Sequence, residues 1–185
     1  MSRFPKNIKY SSDARKRLLV GINHVADSVG ATLGPRGRNV AINQAHTFPS
    51  IVHDGVTVAK NIDLFDEWED MGAQLIKEAA IKTNEVAGDG TTTATILARA
   101  LAVGAFNRVE AGENPMVIKR EMEEAGQKVI SELKKLAIPV KDEDTIKQVA
   151  TISSADAGLG ELVGGAINKV GKDGFVSVEE GSGFD

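Results

Sequence analysis

The stretch "GDGTTTA", residues 88–94, sets one carboxylate between two glycines and follows it with three β-branched hydroxyl residues. Glycine and aspartate stop helices, and a threonine run is a poor way to continue one, yet good helical sequence lies on both sides. A glycine-rich turn feeding a helix start leaves backbone N–H groups facing outward at the positive end of the helix dipole, which is a ready anion site. Thr91, Thr92 and Thr93 add hydroxyl donors in the first turn, where β-branched residues are tolerated. A carboxylate beside a bare phosphate is repelled, but it is favourable when a hard cation lies between them. Mg²⁺ takes one or two protein carboxylates with phosphate oxygens and water, and Asp89 fits that role. The plainer alternative has Asp89 capping the helix and the threonines as filler; the length of the block favours phosphate. No lysine precedes the hydroxyl residues, so the pattern is not a Walker A loop.

Two more glycine turns carry candidate residues. "TLGPRGRN", residues 32–39, reads either as a second glycine loop or as a helix C-cap at Gly34 with Pro35 beyond it. "HDGV" places Asp54 ahead of a glycine turn, either as a solvent-facing turn residue or as a further member of the site. The three stretches make one site only if the fold brings them together.

The elements that must position them are mostly helices. "SSDARKRLLVGINHVADSVGATLG" is helical, with Ser11 or Ser12 as cap and Leu18, Ile22, Val25, Ala26 and Val29 on one face. "RNVAIN" and "FPSIVHD" are short β-like runs that form a hairpin or stem-loop, and Asp54-Gly55 makes a turn. In "DEWEDMGAQLIKEAAIKTNEVAG" the residues Trp68, Met71, Leu75, Ala79 and Ile81 trace an amphipathic helix. A third helix runs from about Thr92 to Glu110. A fourth opens at Asn114-Pro115 and reaches about Leu136. Beyond a break at Pro139 come short helices over "EDTIKQVATIS" and "LGELVGGAINKVG", then a strand "GFVSVEEG".

The 185 residues are 42% hydrophobic but only 4% aromatic, so the core is built from Ala, Val, Ile and Leu. A net charge of −4 argues against a general nucleic-acid binder. The absence of cysteine removes disulfides, thiolate metal sites and a cysteine nucleophile. The first residues, "MSRFPKNIKYSSDARKR", lack the apolar region of a secretory signal, and no apolar run is long enough for a membrane span. These features predict a cytoplasmic protein.

Taken together and in order, "ATLGPRGRNV", "HDGVTVAKNI", "MGAQLIKEAA", "AGDGTTTATILA", "GENPM", "ATIS" and "KVGKDGFVSVEEG" resemble the group I chaperonin (GroEL) family. The resemblance implies a mainly α fold: an equatorial-domain helical bundle with a small β stem-loop, and a small α/β segment of the intermediate domain. Residues 1–135 would be the N-terminal half of the equatorial ATP-binding domain, and residues 136–185 the first intermediate segment. It implies an ATPase whose subunits form a homo-oligomeric ring, enclose non-native client proteins and work with a co-chaperonin. The implied cofactors are ATP, Mg²⁺ and K⁺. Thr32, Leu33, Gly34 and Pro35 would line the phosphates and sugar, with K⁺ near the Thr32 carbonyl. Asp89 would hold Mg²⁺, while Gly90, Thr91, Thr92 and Thr93 cradle the phosphates. Asp54 would help order the attacking water or the γ-phosphate end, and Ile152 and Ser153 would lie near the base.

Two positions depart from the family. His53 stands where a lysine usually precedes the aspartate, and an imidazole is a weaker phosphate partner than an ammonium. His46 stands in the stem-loop where an aromatic is frequent. The family's chain continues through an apical domain and returns to complete the other two, so this sequence is expected to match only the first part. The apolar stripes of its long helices, around Leu18–Val29, Leu75–Ile81 and Ile96–Phe106, are then expected to be exposed. An alternative function follows from the same point: an assembly fragment that pairs with neighbouring elements without hydrolysing ATP.

Overall fold

The computed structural model describes residues 7–43, 48–140, 142–154, 156–171, 174–179 and 181. It divides into two compact units, Met1–Glu124 and Ala125–Asp185. The first holds α1 (Ser11–Gly30), β1 (Val40–Ile42), β2 (Ser50–Val52), α2 (Gly55–Lys60), α3 (Glu67–Ala87) and α4 (Thr91–Glu110). Helix α5 (Pro115–Leu136) begins there and runs into the second unit, which also holds α6 (Glu143–Ser154) and α7 (Ala157–Val170).

Helices α1, α3 and α4 pack on one another, and the single-turn-and-a-half α2 lies against all three. The core is small-chained: Ile22, Val25 and Val29 of α1, Val56, Val58 and Ala59 of α2, and Ala73, Ile76 and Ala80 of α3. Two glycines set how closely α1 and α3 approach. A Cβ at Gly21 would lie 1.7 Å from the Glu69 carbonyl oxygen, and one at Gly72 would lie 2.1 Å from the Leu18 carbonyl oxygen. The helices therefore touch backbone to backbone.

That contact displaces the expected face of α3. Its buried residues are Gly72, Ala73, Ile76, Lys77 and Ala80, whereas Met71 and Leu75 are 51% and 59% exposed. Gly72 and Ala73 make the close approach to α1, and Met71 and Leu75 fall on the outward side. Leu97 and Leu101 of α4 are exposed as well. Buried Lys77 donates to Asp63 Oδ1 at 3.0 Å, so its ammonium reaches the surface by way of an exposed carboxylate.

The stem-loop is an antiparallel pair in the register Val40↔Val52, Ala41↔Ile51 and Ile42↔Ser50. Val40 and Val52 lean on the core. His46 falls outside the described residues. At the start of α1 the N-cap is Tyr10, without a side-chain bond, so neither serine caps the helix. The Ser12 hydroxyl instead donates to Glu110 Oε2 at 2.9 Å, beside Arg15, tying α1 to the end of α4.

Helix α3 begins at a working cap. Asp66 Oδ1 accepts from the N–H groups of Glu69 and Trp68 at 3.1 and 3.0 Å. The Glu69 N–H holds this carboxyl below the usual carboxylate range, aided by the Trp68 N–H and Arg17 and opposed by burial. A lowered folded-state value stabilises the fold above the unfolded value, and that stabilisation is lost as pH falls through the folded one. Asp66→Asn keeps a cap acceptor but cannot titrate. Its stability should therefore decline less steeply than that of the unaltered chain below about pH 4, read by chemical unfolding at stepped pH. Equal slopes would rule the cap out as an acid-sensitive element.

In the second unit α6 and α7 pack through glycines, since a Cβ at Gly160 would sit 2.0 Å from Thr151 Oγ1 and one at Gly164 2.6 Å from Lys147 Cγ. The expected strand "GFVSVEEG" is absent among the described residues, where 174–179 carry no regular structure. A strand needs a partner for its ladder, and the sole sheet described is the β1–β2 pair. No helix among the described residues is long and apolar enough to cross a membrane.

Candidate functional site

The loop after α1 folds back on itself. The Arg38 N–H donates to the Ala31 carbonyl at 2.7 Å, and the Gly37 N–H to the Gly34 carbonyl at 2.8 Å. Gly34 has φ 71°, and a Cβ at Gly37 would come within 2.3 Å of the Thr32 carbonyl oxygen. Both glycines are required by the turn. Gly34 is thus not the C-cap of α1, which ends at Gly30 with Ala31 as its cap; it shapes the loop four residues on. The loop leaves Leu33, Gly34 and Pro35 exposed and Thr32 buried, with the Thr32 hydroxyl donating to the Val29 carbonyl at 2.8 Å.

The two glycines around Asp89 have separate tasks. Gly88, at φ 70°, is the left-handed C-cap of α3, and its N–H bonds the Asn84 carbonyl at 3.0 Å. Gly90, at φ 77°, is the N-cap of α4, with no side-chain cap bond. Asp89 therefore does not cap α4. Its Oδ1 accepts from the Gly90 N–H at 2.6 Å, and the residue is exposed. With a glycine cap, the first-turn N–H groups of α4 have no i−4 partner and, among the described residues, no side-chain acceptor.

Asp54 is the N-cap of α2. Its Oδ2 accepts from the Thr57 N–H at 2.9 Å and from the Thr57 hydroxyl at 2.7 Å. The dipeptide Asp54-Gly55 is therefore a helix start and not a free turn. A Cβ on Gly55 would fall 2.2 Å from Thr92 Oγ1, 3.2 Å from Thr91 Oγ1 and 3.2 Å from the Thr92 nitrogen. This brings the start of α2 against the start of α4. Thr92 Oγ1 also lies 3.3 Å from Thr32 Oγ1. Since the single hydroxyl proton of Thr32 goes to Val29, Thr92 is the donor in that pair.

All three glycine motifs therefore meet around Thr92, the loop after α1 through Thr32 and the α2 start through Gly55. Thr91 is buried beside Gly55, Thr93 is exposed, and His53 is exposed directly after β2. Ile152 and Ser153 lie on α6 of the second unit. Both are exposed, and Ile152 lines an open cavity of about 440 Å³ with Lys147, Thr151 and Glu161. Sequence reasoning passed over Gly55, Gly37 and Thr57. The D-x-x-T spacing of Asp54 and Thr57 was the available signal, because a cap aspartate bonds the residue three positions on.

Among the described residues no group of three or more His, Asp or Glu could hold a metal by itself. A single exposed carboxylate with one oxygen uncommitted suits Mg²⁺ that arrives with phosphate oxygens and water.

A helical bundle whose glycine turns join hydroxyl-bearing helix starts is the class these features define. The model of the TCP-1/cpn60 chaperonin family matches residues 25–180, and the chain belongs to that family. Its structure is similar to that of the chaperonin gp146 from the bacteriophage EL 2 (Pseudomonas aeruginosa), crystallised in the presence of ATP-BeFx. The two share 32% sequence identity with a TM-score of 0.76, over 95% of this chain and 32% of the phage chain. This chain thus spans well under half the length of that relative.

Proposed function

We propose that this chain supplies the phosphate side of the ATP site in a chaperonin subunit whose ATP hydrolysis drives folding of non-native proteins inside a homo-oligomeric ring in the cytoplasm, with a co-chaperonin as partner. The observation that carries this is the convergence of Thr32, Gly55, Thr91 and Thr92 at the N-terminus of α4. A helix start without a side-chain cap favours phosphate there. Gly90, Thr91, Thr92 and Thr93 cradle the phosphates, and Thr32, Leu33, Gly34 and Pro35 line the phosphates and sugar. His53 adds a phosphate contact, and the Thr32 carbonyl takes part in a K⁺ site. Asp89 holds Mg²⁺, which when bound neutralises phosphate charge. Asp54 orders and deprotonates the attacking water.

The exposed Leu75, Leu97 and Leu101 favour a second reading, in which the chain acts through assembly with further helices and turns over no ATP itself. The roles separate in the assembled full-length subunit. Asp54→Ala should keep ATP affinity within about threefold while kcat falls about 100-fold, because a general base acts only in the transition state. Binding and turnover falling together would remove Asp54 from the chemistry.

A further inference from the structure

We infer that Thr57 is a positioning residue for hydrolysis, fixing the Asp54 carboxylate through Oδ2 so that Oδ1 stays free to receive the water's proton; this rests on the reading of Asp54 given above. The cap needs only one bond, from the Thr57 N–H. The hydroxyl adds a second bond, at 2.7 Å, to the same oxygen. Oδ1 accepts no hydrogen bond among the described residues.

The holder is itself fixed. Val56 and Val58, on either side of Thr57, are core residues, and the Thr57 carbonyl accepts from Asn61 Nδ2 at 2.8 Å. Gly55, which follows the carboxylate, is wedged against Thr92 of the proposed phosphate cradle. The same D-x-x-T cap recurs at Asp142 and Thr145, with very different surroundings. There the hydroxyl spans both carboxylate oxygens, at 2.8 and 2.9 Å, and α6 has no buried residue. Thr145 therefore serves as an internal control for capping alone.

In the step served, the water oxygen bonds to the γ-phosphorus as the bond to the β–γ bridging oxygen breaks, and that electron pair leaves on ADP. One water proton stays on the inorganic phosphate. The other passes to Asp54 Oδ1 and then to solvent.

Thr57→Val removes the hydroxyl and keeps the β-branch and the N–H. In the assembled full-length subunit its kcat should fall about tenfold with KM within about twofold, and Thr57→Ser should recover most of the loss. Thr145→Val should leave kcat unchanged. Unaltered kcat in Thr57→Val, beside a slow Asp54→Ala, would overturn the positioning role alone. A normal Asp54→Ala would overturn the reading of Asp54 and this inference with it. Should Thr57→Val fail to assemble, Thr57→Ser and Thr57→Asn decide: Ser active and Asn slow at unchanged KM supports the role, and equal rates overturn it.

Discussion

Gly72→Ala is expected to destabilise the chain by about 2 kcal/mol or more, although alanine is the better helix former by about 1 kcal/mol. Propensity and packing oppose each other here, and the geometry decides between them. The new Cβ would stand 2.1 Å from the Leu18 carbonyl oxygen and 2.9 Å from the Leu18 Cα, all backbone of the facing helix. No side chain can rotate away, so α1 and α3 must separate and the core between Ile22, Val25, Ala73 and Ile76 opens with them. Gly21→Ala should act alike, meeting the Glu69 carbonyl oxygen at 1.7 Å. Gly104 in α4 provides the opposite sign, since a Cβ there meets nothing within 4 Å. Gly104→Ala should stabilise by about 0.5–1 kcal/mol. Urea unfolding of the three variants measures all of this, and a stabilised Gly72→Ala would show that the helices do not touch as described.

The same glycines mark what the sequence made legible. Periodicity placed the helices well: α4 was expected from about Thr92 and begins at Thr91, and α5 runs from Pro115 to Leu136 as expected. The apolar face of α1 was legible as a face, but its expected exposure was not borne out, since Ile22, Val25, Ala26 and Val29 are buried. On α3 the pattern misled, since hydrophobicity ranks Met71 and Leu75 above Gly72 and Ala73, while close backbone approach selects the small residues. The strand after α7 failed for another reason. Alternating apolar residues specify a face but cannot supply a pairing partner. At the site, the individual motifs were legible and their meeting at Thr92 was not. Nothing in the spacing of Thr32, Gly55 and Thr92 along the chain encodes that a missing Cβ lets α2 reach α4.

Asp89→Ala is expected to abolish most ATP turnover in the assembled full-length subunit, by about 100-fold or more, as the loss of a preorganised charge partner at the reacting phosphates does. Two causes would produce such a loss, and the geometry separates them. Asp89 Oδ1 accepts from the Gly90 N–H at 2.6 Å, so the side chain also ties the turn together. The turn, however, has other supports: Gly88 and Gly90 hold φ 70° and 77° without strain, and the Gly88 N–H is fixed to Asn84. Asp89→Asn keeps an oxygen for the Gly90 N–H and removes only the charge. If the charge holds Mg²⁺, the Asn and Ala variants should lose turnover alike. Both should also need far more Mg²⁺ to reach half their residual rate, while ATP binding measured without Mg²⁺ is unchanged or tighter because one repulsive carboxylate has gone. If the bond to Gly90 is what matters, Asn should work nearly as well as Asp, and its Mg²⁺ requirement should not move. That second pattern would leave Asp89 as a residue that holds the turn and the proposed phosphate cradle without its metal ligand.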